Sequence, residues 1–396
     1  MMPEQSLWRG DSAFVRGIGL AGCLAVIVGA KIWLIAEYGS STPFWDQWSE
    51  APGVYRPFLT GTLSLTDLLA AHNEHRIILT RLVALALFIA EGRWDPIGQT
   101  IVNAAIHTAA LGLLVAMLSR ALDVASALLL SVFAALLFAS PFGWMNTPVG
   151  FQAQFYLLML LAPLSLWTLY ASAAWTPRWW LGTLLGVLSY FSIASGALTF
   201  PVFIAIAGVQ FAIGRRAGPR ELSGLLAHAI LAAVMIWDIP KISAHAGFAP
   251  KSVLDWYEWL GIAASWPVAK SSWPSVLRIL TAAAIYAPSA ILATRLLRQR
   301  APIKDGRWLL LTIACWAMLQ TLALVQGRGT AALQSRYYDL LLIGVLVNAA
   351  TLLHLQCNEI SSRWRNAVTF ACAAWFIAIT VGLGQKAFDG IPAELT

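Results

Sequence analysis

Ile77-Ile78-Leu79-Thr80-Arg81-Leu82-Val83-Ala84-Leu85-Ala86-Leu87-Phe88-Ile89-Ala90 is the stretch that decides how this chain is threaded. It reads as an apolar helix, short for a hydrocarbon layer that takes roughly 20 residues to cross; lengths of roughly 10–14 suit a segment that lies on a surface or re-enters it. Charge elsewhere in the chain chooses between the placements. If residues 77–90 do not cross, Arg9, Arg16, Arg120, Arg178, Arg215, Arg216, Arg220, Arg295, Arg298, Arg300, Lys304, Arg307, Arg363 and Arg365 all fall in short loops on one side. That is the positive-inside pattern with a cytoplasmic N-terminus. If they do cross, Arg9 and Arg16 are stranded outside while every later loop keeps its side. The segment is therefore expected to be a juxtamembrane helix on the outer surface.

Outward from it, the composition is that of a membrane protein. The 396 residues are 59% hydrophobic and 11% charged, with a mean hydropathy of +0.70. Apolar runs of roughly 17–22 residues recur without the period-two alternation of a barrel, so helices with internally closed backbone bonds are expected. The expected fold is an all-α polytopic bundle of about 11 transmembrane helices. The spans fall near 14–36, 97–118, 124–140, 152–171, 179–195, 198–213, 222–239, 277–294, 308–325, 338–356 and 366–384. One transmembrane domain, 1–396, takes up the chain. Its outer face carries a long first loop (37–96), a short loop from Ser140 to Gln152, a Trp-rich loop (240–276) and a last loop (326–339). The first apolar run lacks a small-residue cleavage pattern and reads as a retained signal anchor.

The net charge of +7 does not point to nucleic acid, because the Lys and Arg residues are spread between spans rather than along a stripe. The cysteines, Cys23, Cys315, Cys357 and Cys372, lie in or beside spans, so neither a disulfide nor a thiolate metal site is expected. No internal repeat is evident, which weakens a transporter built from inverted halves.

Polar complexity is concentrated on the outer loops, and ionisable groups kept at a membrane surface are costly enough to mark a site. Asp46, in Phe44-Trp45-Asp46-Gln47-Trp48, sits between aromatic rings at headgroup level, a half-dry setting that suits a general base. Its bland alternative is a helix cap or a pairing with Arg56 or Arg76. Glu50, four residues on, shares a face with Asp46 if the segment is helical; the two carboxylates then bind a cation or divide acid and base roles, or Glu50 is simply solvated. His72-Asn73-Glu74-His75-Arg76 is expected to open the juxtamembrane helix. His72 and His75 offer metal ligation together with Glu74 or Asp46, or hydrogen bonds to sugar hydroxyls, with Arg76 as a fork for an anion. A helix start capped by Asn73 explains one or two of these residues but not all five.

Near the C-terminus, Gly327-Arg328-Gly329 and Ser335-Arg336-Tyr337-Tyr338 place two arginines at the outer surface, against the charge bias. Bidentate grip on a phosphate accounts for them, as does snorkelling to headgroups with Tyr337 in the interfacial belt. Trp256, Tyr257, Trp259, Trp266 and Trp273 suit belt anchoring or stacking on sugar rings. Asn146, Gln152 and Gln154 are weaker candidates for the same cavity.

An Asp just after the first span, a surface helix opened by His-Asn-Glu-His-Arg and an outer-face Arg pair together resemble the GT-C superfamily of membrane glycosyltransferases. The resemblance implies that Asp46 deprotonates an acceptor hydroxyl and that Arg328 and Arg336 grip the phosphate of a polyprenyl-phosphate sugar donor. It leaves Glu50, His72, Asn73, Glu74, His75, Arg76 and Tyr337 as substrate-binding candidates. It implies a bacterial inner-membrane protein, working on the periplasmic face with a glycan, lipid or protein acceptor. No cofactor beyond the donor is expected, with a divalent cation left open: the short outer loop, Ser140 to Gln152, shows no clear second acidic motif. The large soluble C-terminal domain of oligosaccharyltransferases has no counterpart here. The rival class is a lipid or lipid-linked-sugar transporter, which calls for ionisable groups in mid-span; Lys31, His107, His228 and Asp238 are the few available.

Overall fold

The computed structural model describes residues 5–358 and 365–395. Arg363 lies outside the described residues. Apart from an isolated bridge between His72 and His75, the regular elements among the described residues are helical. Thirteen of these helices are longer than two turns: α1 Gln5–Tyr38, α2 Ile78–Glu91, α3 Pro96–Ser119, α4 Val124–Ala139, α5 Ala153–Leu169, α6 Pro177–Tyr190, α7 Thr199–Ala212, α8 Pro219–Trp237, α9 Val253–Ser265, α10 Ser275–Arg298, α11 Arg307–Arg328, α12 Ser335–Asn358 and α13 Arg365–Leu395. Their starts carry legible caps. Asp95 accepts from the Gly98 amide ahead of α3, Asp123 from Ser126 ahead of α4, and Thr176 from Trp179 ahead of α6, with Pro at the first position of α3 and α6. Ser252 and Asp255 form a capping box that starts α9 inside what the sequence reads as a Trp-rich loop.

Nine helices among the described residues are long and apolar enough to cross a membrane: α1, α3, α5, α7, α8 and α10 to α13, the stretch with α5 running from Gly150 and that with α7 from Ala194. This is the make-up of a multi-pass membrane protein. Each expected span has a helix, but α4 has 16 residues and α6 has 14, shorter than a full crossing asks for. α12 is the centre of the bundle, with 83% of its most apolar stretch buried against 22% for α8 and for α13. It packs on α4, α10, α11 and α13.

The two ends of the bundle differ in chemistry. At one end, arginines hold the free carbonyls where helices finish: Arg16 donates to Ser119 O and Leu122 O after α3 (2.9 and 2.8 Å), and Arg178 to Thr168 O and Trp167 O at the end of α5 (both 3.0 Å). Arg216 donates to Tyr170 O and Ser172 O at 2.7 and 2.8 Å. A cation at a helix C-terminus meets both an orphan acceptor and the negative end of the dipole. At the other end, the loops expected on the outside meet one another.

The 77–90 stretch takes up this second end. α2 begins beside the α6–α7 junction, where the Leu79 amide donates to Phe191 O at 3.4 Å. It finishes where Phe88 stacks on Tyr55 with ring centroids 4.6 Å apart, and Tyr55 is bonded to Gln99 in the first turn of α3. Gly92, with φ +67°, closes it in a left-handed cap. Both ends of α2 thus touch the same end of the bundle, so it lies across that end instead of running through it.

Candidate functional site

His72 and His75 exchange backbone hydrogen bonds (2.8 and 3.0 Å) around Asn73 and Glu74. Asn73, at φ +50°, takes the left-handed conformation that asparagine tolerates best among residues with a side chain. This corrects the expected helix start. Residues 72–75 are a tight reverse turn, and the helix begins only at Ile78. A two-residue turn points neighbouring side chains in different directions, and the cluster is dispersed accordingly.

His72 turns to the first loop. Its ring packs edge-on against Phe151, with Nε2 3.6 Å from Asp46 Oδ2. Asp46 is half-exposed, in a 3-10 turn spanning Trp45–Ser49. The imidazole of His72 draws its pKa below the ordinary value; burial works against this, and Arg336 adds a further downward pull. Asp46 is therefore a carboxylate at neutral pH, open to solvent and beside the His72 imidazole. It pairs with neither Arg56 nor Arg76.

Glu50 does not share that face. In a 3-10 turn residues three apart eclipse, so a residue four on is rotated by roughly 120°. Glu50 is buried, and its Oε2 accepts from Tyr55 Oη and Gln99 Nε2, both at 2.9 Å. Gln47 donates to the Gln99 side-chain oxygen and closes the network. Burial pushes Glu50 up to about 7 against the pull of these donors, and its Oε1 has no partner. The role this fits is fastening residues 44–55 to α3, not binding substrate beside Asp46.

Glu74 faces the other way, into a charged knot. Arg328 Nη1 and Nη2 grip its two oxygens at 3.0 and 3.1 Å, and His245 Nδ1 bonds Oε1. Burial raises the Glu74 pKa, but the hydrogen bonds from Arg328 and His245 outweigh it and hold the group at about 2. Arg328 also donates to Tyr337 Oη at 3.0 Å. The glycine after it, Gly329 at φ +53°, lies so close to Phe248 O and the Trp259 ring that a Cβ would clash with both. That close approach packs the end of α11 against α9 and the loop before it. His75 is partly buried and accepts from the Ala194 amide at 3.3 Å; desolvation lowers its pKa to about 4, leaving it neutral.

Arg76 is committed elsewhere. It forms a bidentate pair with Asp238, at the end of α8 (2.5 and 2.8 Å), where Tyr190 Oη also donates, and its third nitrogen reaches Leu69 O. The expected fork for an anionic substrate is a brace between the turn and α8. Arg336 is different. It donates to Gln334 Oε1 (3.0 and 2.6 Å) and lies over the Tyr337 ring at 5.4 Å, with no carboxylate within ion-pair reach among the described residues. Asn146 holds its backbone through Arg336 O at 2.8 Å.

Beside this cluster a cavity of about 380 Å³ opens among α5, the 193–198 segment ahead of α7, α8, α11 and α12. Glu74, His75, Arg328 and Tyr337 form its polar end, while Phe155, Ile193, Leu198, Ile236 and Leu324 line its walls. Its lining is thus apolar along the walls and charged at one end. Asp46 is outside it, linked to it by the 72–75 turn. His72 and Asp46 lie together but apart from the Glu74 carboxylate, and no group of three His, Cys, Asp or Glu suited to a metal forms among the described residues.

Sequence reasoning passed over His245, Tyr190 and Gln334, and weighed Asp238 only as a mid-span ion. Nothing local marks any of them, because each acts through a partner distant in the chain. A second cluster, of which the sequence singles out Lys31, His107 and Asn146 without joining them, is sealed between the helices. Lys31 contacts Thr147 Oγ1 and Tyr156 Oη at 3.2 and 3.4 Å; His107 stacks on Tyr156 at 4.1 Å with both ring nitrogens unpartnered, and Asp339 sits close by with Asn146. No protein-family model matches the chain, and no curated protein matches it in sequence.

Proposed function

We propose that this protein is an inverting glycosyltransferase of GT-C-like architecture, with about 11 crossings, that moves a sugar from a polyprenyl-phosphate donor to an acceptor hydroxyl on a glycan, lipid or protein. The site works on the periplasmic face of a bacterial inner membrane. One observation carries the reading: an open, ionised Asp46 beside His72 shares one end of the bundle with Arg336, which has no carboxylate in ion-pair reach among the described residues, and with an apolar cavity that has a charged mouth. In the reaction the acceptor oxygen attacks the anomeric carbon and its proton passes to Asp46. The bond from that carbon to the phosphate oxygen breaks, and the lipid phosphate leaves with the electron pair. Arg336 and Arg328 balance the charge on that phosphate. A leaving phosphate needs no proton, so one carboxylate suffices where soluble glycosidases use two. The isoprene units nearest the phosphate lie in the cavity between the 193–198 segment, α8 and α11.

The test is transfer by the purified protein from a polyprenyl-phosphate sugar. Asp46→Asn is expected to lower kcat by roughly 10²–10⁴, the usual range for a general base, with folding and donor KM unchanged. Activity retained in Asp46→Asn removes Asp46 from the role.

The buried Lys31, His107, Tyr156 and Asp339 cluster favours a second reading, a transporter or flippase of lipids, since ionisable groups sealed among spans mark ion or substrate pathways. Proteoliposomes separate the two. A transferase makes product without moving lipid between leaflets, and a flippase whose coupling runs through Lys31 stops in Lys31→Met.

A further inference from the structure

Glu74 stands where an anionic ligand would go. Its two oxygens fill both prongs of Arg328, at 3.0 and 3.1 Å, at the polar end of a cavity whose walls are apolar. A carboxylate and a phosphate offer a guanidinium the same pair of acceptors. Neither partner of this pair is stranded when they separate, because Arg328 keeps Tyr337 and Glu74 keeps His245. Both side chains are under one-fifth exposed, so the pair holds until another anion replaces one half of it.

We propose that Glu74 is an internal stand-in for the phosphate of a lipid-linked substrate: the incoming phosphate displaces it from Arg328, and the 72–75 turn carries the displacement to Asp46. The inference rests on the transferase reading, which supplies the lipid phosphate. The mechanical link is the turn itself. His72 and His75 exchange both backbone hydrogen bonds across Asn73 and Glu74, so a displacement of Glu74 that the turn follows also moves His72, whose Nε2 is 3.6 Å from Asp46. Withdrawing the imidazole removes what holds the Asp46 carboxylate down in basicity, and the base is strengthened only when donor is seated. A ligand drives such a change only by the difference between its affinities for the two states, and here that difference is the phosphate's charge.

The experiment titrates the full-length protein in nanodiscs with farnesyl phosphate, with inorganic phosphate and with uncharged farnesol. Glu74→Gln frees the fork and is expected to bind farnesyl phosphate about tenfold more tightly than wild type, with farnesol unchanged. Glu74→Asp, which keeps the charge but draws it back by one methylene, is expected to tighten binding by less, and it serves if the Gln variant does not fold. Tightening for inorganic phosphate as well shows that the fork reads the phosphate group alone; tightening for farnesyl phosphate only shows that the lipid tail is required. Either result supports displacement. Binding by Glu74→Gln equal to or weaker than wild type overturns it. Arg328→Ala separates the two levels. If it binds farnesyl phosphate as wild type does, the phosphate site of the transferase reading fails and displacement fails with it; if it loses binding while Glu74→Gln does not tighten, displacement alone fails.

Discussion

Glu50 shows how far a single residue can be judged from its neighbours in the chain. Its spacing from Asp46 suggests a shared face, and the sequence offers no sign that the backbone between them is 3-10 rather than α. What decides its role is Gln99, 49 positions away. The buried carboxyl has a measurable consequence. With its pKa raised from 4.5 to about 7, the folded state binds more protons than the unfolded chain between those values. The stability Glu50 contributes is therefore complete below about 4.5 and is lost as pH rises through about 7. Thermal unfolding in detergent is expected to show Tm falling between pH 5 and pH 8 in the wild type, with a smaller fall in Glu50→Gln, whose amide keeps the acceptor for Tyr55 and Gln99. Parallel pH profiles for the two proteins count against a buried, protonated Glu50. Asp46 was readable for the opposite reason: its exposure follows from local signals, the aromatic residues around it and the span that ends just before it.

At the scale of elements, caps and apolar length told most of the story. Asp95-Pro96, Asp123 and Thr176-Pro177 announce their helices, and the helices α1, α3 and α10 to α13 lie where apolar runs predict them. The turn at 72–75 was misread as a helix start, since His, Asn and Glu suit both and only the pairing of His72 with His75 separates them. Arg76 illustrates the limit. An arginine at a membrane surface reads as an anion site, but its partner Asp238 is 162 positions on. The Arg76–Asp238 brace ties the turn to α8, and both side chains are partly solvated, so a double-mutant cycle of Arg76→Ala and Asp238→Ala is expected to give a coupling of about 1 kcal/mol. Amide exchange at residues 72–76 is expected to speed up in either single variant. An additive cycle with unchanged exchange shows that the brace contributes nothing.

For the whole molecule, charge bias and the shortness of residues 77–90 were enough to sort the loops into two sets, and the bundle keeps those sets apart. Arg16, Arg178 and Arg216 cap helix ends at one pole, while Asp46, Glu74, Arg328 and Arg336 lie at the other. The knot of loop contacts at that second pole was not legible, because it depends on how α8, α11 and α12 pack. The proposed reaction requires the second pole to face away from the cytoplasm, where the positive-inside rule puts it. Substituted-cysteine labelling tests this directly. Single cysteines replace Thr60 and Lys304, exposed residues of the two poles, in a chain stripped of its four native cysteines. With a membrane-impermeant maleimide on intact spheroplasts, Thr60→Cys is expected to be labelled and Lys304→Cys to be labelled only after the membrane is opened. The reverse pattern would place Asp46 in the cytoplasm and contradict the account.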